Sequence, residues 1–99
     1  MLVESTNAES DVVRVTFRLS TSVSAEIVHL VGDFNNWDPR LHRLARSPDG
    51  DWWQITLDLK RGRAYQYRYL LDCARWCNDW HADRYVPNVF GGDNSVLEV

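Results

Sequence analysis

The sequence predicts an all-β fold, an immunoglobulin-like antiparallel β-sandwich. The first reason is periodicity. Several short stretches alternate apolar and polar residues with period two, and turn residues punctuate them at close, regular spacing. The second is an absence: no segment keeps a helical apolar period over three turns, so no amphipathic helix has a stripe to bury. The chain has 99 residues, 44% hydrophobic and 25% charged. That suits one domain with one core.

Residues 1–10 are polar and acidic, with Glu4 and Glu9, and read as a flexible leader; residues 11–99 read as a single domain. Val13, Val15, Phe17 and Leu19 share a face, with Arg14, Thr16 and Arg18 on the other, which predicts a half-buried first strand. A polar break over 20–24 leads to a second strand over 27–31 that is apolar at nearly every position. Residues 32–39, Gly-Asp-Phe-Asn-Asn-Trp-Asp-Pro, are dense in turn formers and predict a loop. A short third strand is expected over 41–46. Pro48-Asp49-Gly50 then signals a hairpin, with Asp49 and Gly50 both expected at positive φ.

In the next strand Trp53, Ile55, Leu57 and Leu59 alternate with Trp52, Gln54, Thr56 and Asp58. Lys60-Arg61-Gly62 reads as a second hairpin turn. Beyond it Tyr65, Tyr67, Tyr69 and Leu71 share one face, and Ala64, Gln66, Arg68 and Leu70 share the other. A turn near 72–75 precedes a short strand around Trp76. Residues 82–93, with Pro87, Gly91 and Gly92, read as a long loop before a last strand over 95–99. Seven or so short strands of this kind are the pattern of a sandwich.

Net charge is −3 and the isoelectric point near 5.5. No basic stripe marks a nucleic-acid footprint, and Lys60, Arg61 and Arg63 beside Gly62 read as a solvated turn. No apolar run approaches the ~20 residues of a membrane span. The N-terminus lacks the basic start and apolar core of a secretory signal, so the expected location is cytoplasmic. Cys73 and Cys77 read as free thiols; the alternatives are a local disulfide across a turn, or metal ligation with His81.

Asp72, Asp79, Asp83 and Asp93 cluster late in the chain, but in turn-rich sequence where Asp is expected anyway. No nucleophile motif and no Gly-rich phosphate loop is present. The reading is therefore no enzyme: no catalytic residues, no metal site and no cofactor.

Five tryptophans are more than one small core needs. Trp53 belongs to the core face, and Trp52 points oppositely. Trp37, between Asn36 and Asp38 in the loop, and Trp76, between Arg75 and Cys77, read as displayed, although a loop tryptophan can also fold inward. Trp80 stays ambiguous. In an extended segment it would point the same way as Asn78 and Trp76. A flat indole suits the C–H face of a pyranose and loses little rotamer entropy on contact. Hydroxyls at the ring edge need fixed donors and acceptors, and Arg68, Asn78 and Asn94 have that chemistry. Such a site would be shallow and weak, about 0.1–1 mM.

The run Val31-Gly32-Asp33-Phe34-Asn35-Asn36-Trp37-Asp38-Pro39 resembles the opening signature of family-48 carbohydrate-binding modules. These include the glycogen-binding domain of AMP-activated protein kinase β subunits and the early-set N-terminal domains of isoamylases and branching enzymes. The likeness continues through Asp49-Gly50-Asp51-Trp52-Trp53, Leu57-Asp58-Leu59, Tyr65-Gln66-Tyr67-Arg68-Tyr69, residues 72–76 and Phe90-Gly91-Gly92-Asp93-Asn94-Ser95-Val96. It covers about residues 12–99 in the family's order.

The resemblance implies an early-set sandwich that binds glycogen, starch or malto-oligosaccharides. Trp37 and Trp76 match the two stacking tryptophans. Arg68 stands where the kinase-type domain has a sugar-contacting lysine. Asn94 stands at the hydrogen-bonding asparagine of the last loop, and Phe90 at a leucine that inserts near the sugar. Gly92 departs from the pattern, standing where the kinase-type domain has a glucan-contacting threonine. The turn from Asp72 to Trp76 is one residue longer than usual, which bears on where Trp76 sits. The chain closes with the domain, like short stand-alone early-set proteins of prokaryotes. The α-glucan is thus the expected partner. The other reading is a protein-interaction or scaffold domain, since exposed aromatics also make protein hot spots.

Overall fold

The structure is a computed structural model that describes the backbone of residues 2–4 and the whole of residues 11–99. Among the described residues ten strands form two antiparallel sheets. In chain order they are β1 (Leu2–Glu4), β2 (Val12–Ser20), β3 (Val28–Gly32), β4 (His42–Arg43), β5 (Ala45–Arg46), β6 (Trp52–Lys60), β7 (Ala64–Leu71), β8 (Arg75–Cys77), β9 (Arg84–Pro87) and β10 (Asp93–Glu98). One sheet runs β1-β2-β6-β5 and the other β4-β3-β7-β10-β9, with β8 also paired to β7. This is the immunoglobulin-like sandwich that the alternation predicts. Among the described residues the one helical element is a 3₁₀ turn at Asp33–Asn35, and no helix is long and apolar enough to cross a membrane.

The core lies where the period-two pattern puts it. Val13, Val15, Phe17 and Leu19 of β2 face Tyr65, Tyr67, Tyr69 and Leu71 of β7, all buried. Phe17 meets Tyr67 edge-on at 5.0 Å, and Phe34 of the 3₁₀ turn closes on Phe17 at 5.4 Å. Offset and edge-on ring pairs of this sort add about 0.5–1.5 kcal/mol beyond area burial. Phe34 therefore ties the turn that carries Trp37 to the centre of the sandwich.

One buried corner is polar. Asp79, 1% exposed, accepts hydrogen bonds from the Tyr67 hydroxyl at 2.8 Å and the Tyr69 hydroxyl at 3.3 Å. Burial, reinforced by the Asp79 charge, pushes both phenols far above their ordinary range. They stay protonated and act as donors.

Several expectations are corrected. The third strand is two strands in different sheets. His42 and Arg43 pair with β3 and Ala45 and Arg46 with β6, so the chain changes sheet at buried Leu44. The Lys60–Gly62 turn is not a hairpin, because β6 and β7 lie in opposite sheets. It crosses between them, and its Gly62 N–H bonds to the Val99 carbonyl at 2.7 Å. At the Asp49-Gly50 hairpin only Gly50 takes positive φ, at 78°. The loop expected over 82–93 contains β9, an edge strand that ends at Pro87, where a missing N–H costs no ladder bond. Most of the expected leader lies outside the described residues, but Leu2–Glu4 pair with β2. Cys73 and Cys77, by contrast, are free thiols as expected.

Candidate functional site

Because Tyr65, Tyr67 and Tyr69 point into the core, β7 turns Gln66 and Arg68 to the outer face of the second sheet. β10 adds Asn94, whose neighbour Val96 pairs with Gln66. β8 adds Trp76, directly opposite Leu70 of β7. Loops complete the surroundings: Asp33 and Trp37 from the β3–β4 connection, and residues 87–92 from the β9–β10 connection. Together they enclose an open depression of about 1010 Å³.

Trp37 is held there by an unusual backbone. Asn36 and Trp37 both adopt left-handed conformations, φ 56° and 58°. Asn tolerates this, while a bulky residue there is strained by roughly 1–3 kcal/mol. The surrounding bonds enforce it. The Trp37 N–H reaches the Gly32 carbonyl at 2.9 Å, and its indole N–H reaches Asp33 Oδ1 at 2.9 Å. Asp33 Oδ2 accepts the Gln66 N–H at 2.7 Å. Buried Asn35 bonds the Gly32 N–H, the Leu30 carbonyl and His42 Nδ1. Gly32 lies so close to β7 that a Cβ would stand 2.6 Å from the Gln66 carbonyl oxygen. The Gly-Asp-x-Asn-Asn-Trp run is thus one device that welds a turn to β7 and presents one indole.

Arg68 sits between the two walls. Its guanidinium carbon lies 5.4 Å from the Trp76 ring centroid. Its terminal nitrogens lie 3.8 Å from where a Cβ on Gly92 would be. Its Nε is buried without a hydrogen-bond partner. A guanidinium has donors only and cannot lose its charge, so the guanidinium of Arg68, where it lines the depression, suits acceptor oxygens. Burial pushes the neighbouring Cys77 thiol up, with Arg68 opposing. The thiol stays neutral rather than nucleophilic.

The β9–β10 loop is shaped by Asn88. Its Oδ1 accepts the Phe90 N–H at 2.9 Å and the Gly92 N–H at 3.2 Å. Its own N–H reaches the Gly92 carbonyl, and Gly91 supplies the left-handed step at φ 87°. Val89 and Phe90 are left 91% and 92% exposed at the tip.

All five residues singled out from sequence, Trp37, Arg68, Trp76, Phe90 and Asn94, line this one depression. The long β7–β8 turn does not carry Trp76 away. Asp72 and Cys73 absorb the extra length at φ 52° and 58°. Asn78 is not part of it, since its amide bonds the Asp93 carbonyl and the Ser95 hydroxyl. Trp80, 60% exposed, lies outside it. Sequence reasoning missed Asp33, Gln66 and Asn88. Gln66 was readable, being two residues from Arg68 on the same strand. Nothing local marks Asp33 as the partner of Trp37.

The family described as carbohydrate-binding module 48 (isoamylase N-terminal domain) matches residues 5–85. The chain belongs to this family. The match ends before the loop and β10 that form one wall of the depression. Curated relatives are 1,4-alpha-glucan branching enzymes GlgB. The chain is 46% identical over 46 residues to the enzyme of Novosphingobium aromaticivorans and 46% identical over 44 residues to that of Synechococcus elongatus, 46% and 44% of this chain. That of Photobacterium profundum is 37% identical over 49 residues, 50% of this chain. The matched segments span only 6% of the length of the first two relatives and 7% of the third.

Proposed function

We propose that this module binds α-glucan, meaning glycogen, starch or malto-oligosaccharide, without carrying out a chemical step. The observation that supports this reading is the placing of Trp37 and Trp76 around the Arg68 guanidinium in one depression. Two indoles offer stacking faces for glucose rings, Arg68 and Asn94 offer hydrogen bonds to hydroxyls, and Phe90 packs at the edge. Among the described residues Asp33 is the single carboxylate lining the depression, and both its oxygens are occupied. Glycoside hydrolysis generally takes a pair.

The test is tryptophan fluorescence during titration with maltoheptaose, with Trp37→Ala and Trp76→Ala in parallel. A saturable change lost in both variants is expected. No change up to about 10 mM ligand, an affinity weaker than roughly −2.7 kcal/mol, overturns it. The nearly complete exposure of Val89 and Phe90 favours a protein partner as the second reading. In that case sedimentation would show association that maltoheptaose leaves unchanged.

A further inference from the structure

We propose that Asn88 sets the hydrogen-bond polarity of the depression through a relay of side-chain amides, and that Gln66 is a sugar-facing donor at its end. This rests on the glucan-binding reading and adds to it two residues with distinct roles: Asn88 positions, Gln66 touches.

The orientation of the relay follows from its anchor. Asn88 faces the N–H groups of Phe90 and Gly92, at 2.9 and 3.2 Å. Both are donors, so the facing atom must be the oxygen. That leaves Asn88 Nδ2 to donate to Asn94 Oδ1, at 3.2 Å. Asn94 must then present Nδ2 to Gln66, whose Oε1 accepts it at 3.0 Å. Each amide has one accepting and one donating end, so the choice made at Asn88 passes unchanged along the chain. Gln66 has its oxygen engaged and lines the depression. Its Nε2 is left as the outward group. Beside it stands Arg68, also a pure donor. The polar floor between the tryptophans is thus biased to donors and suits the acceptor lone pairs of sugar hydroxyls. Asn94 has already committed one donor and one acceptor internally, so much of its role is transmission.

Asn88→Asp keeps the oxygen that the two backbone N–H groups need but puts an acceptor where Nδ2 was. Asn94 then turns its NH₂ towards the introduced carboxylate, and Gln66 turns its oxygen outward. Gln66→Glu leaves the relay in place, because the carboxylate that replaces the amide still accepts from Asn94, but it removes the outward donor. The experiment follows side-chain amide resonances of ¹⁵N-labelled protein, alone and with maltoheptaose, alongside affinity by calorimetry and melting curves. In the natural sequence the Gln66 Nε2 resonances should move on adding maltoheptaose. In Asn88→Asp the Asn94 and Gln66 amide resonances should both move before any sugar is added. Each variant should lose affinity about three- to tenfold, the worth of one neutral hydrogen bond, with Gln66→Glu melting like the parent.

Binding by the parent with no response at Gln66 Nε2, or unchanged affinity in Gln66→Glu, overturns the proposal. Should Asn88→Asp fail to fold, Gln66→Glu and the parent titration decide it. If the parent binds no maltoheptaose, the glucan reading fails and Gln66 loses its role as a sugar donor. The relay itself then stands or falls on the amide resonances of Asn88→Asp.

Discussion

The Asp33 carboxylate joins the Trp37 indole to strand β7, taking Nε1–H on one oxygen and the Gln66 backbone N–H on the other, at 2.9 and 2.7 Å. Without that carboxylate the indole N–H loses its hydrogen bond and its link to β7. Asp33→Ala should therefore weaken maltoheptaose binding about tenfold, although both tryptophans remain. The loss of two charge-assisted bonds at an exposed site should cost about 1–3 kcal/mol of stability. Calorimetric titration and a urea melt measure the two effects separately. Affinity that survives the substitution would detach Asp33 from the site.

Gly32→Ala should be among the most destabilising single-methyl additions in the domain. Its backbone is extended, so strain in φ plays no part. The obstacle is contact, with the Gln66 carbonyl oxygen at 2.6 Å and Tyr67 Cβ at 2.7 Å from the added carbon. Pushing β3 off β7 should cost about 1–3 kcal/mol. A denaturant melt with an unshifted midpoint would contradict this packing.

Gly92 presents the opposite situation. A Cβ there meets only ordinary contacts, 3.6 Å to Asn88 Nδ2 and 3.8 Å to the Arg68 terminal nitrogens. Gly92→Thr should fold as well as the parent, with its side chain beside Arg68. An added hydroxyl should raise affinity for maltoheptaose about two- to fivefold. A fall in affinity would mean that the loop closes on sugar more tightly than its present shape allows.

Stability should fall in acid, and Asp72 is one cause. Its Oδ1 accepts the N–H groups of Glu26 and Ile27 at 2.8 and 2.9 Å, and Oδ2 meets Arg75 at 3.3 Å. The Ile27 and Glu26 N–H groups foremost, and then Arg75, hold its carboxyl below the ordinary 3.8. The unfolded chain thus binds a proton more readily than the folded one. The contribution is complete above that unfolded value of 3.8 and fades as pH falls through the folded one. Asp49, lowered by the Ser47 hydroxyl and the Asp51 N–H, acts in the same direction. Asp72→Asn should lower the melting temperature at neutral pH and flatten its decline below about pH 4. A decline of unchanged steepness would place the acid sensitivity elsewhere.

What sequence could reveal follows from how local each cause is. Alternation in β2, β6 and β7 is written residue by residue, so the core face and Arg68 opposite it were readable. So was the displayed loop carrying Trp37, because Asn and Asp announce turns. The change of sheet at Leu44 was not, since a strand that bends looks the same in sequence as one that does not. Strand β9 was hidden by Pro87, which argues against a central strand but is harmless at an edge. Asp33 and Asn88 escaped for a different reason. Their roles are hydrogen bonds to Gln66 and Asn94, on strands β7 and β10 that only the fold brings beside them.

The passage of the chain from one sheet to the other at Leu44 makes the two margins of the sandwich unequal. On that side a covalent spine joins the layers, with Leu44 2% exposed and its amide bonded to the Val28 carbonyl at 2.8 Å. At the far end of the same sheet β9 has a single neighbour, β10. Exchange of the buried Leu44 amide with solvent is expected to be slower than that of the largely exposed β9 amides, an ordering that a hydrogen-exchange time course measures. The loop bearing Val89 and Phe90 follows that edge strand, while Trp37 is tied through Asp33 to the central strand β7. A bound polymer would meet one wall bonded into the sheet and one carried on an exposed loop.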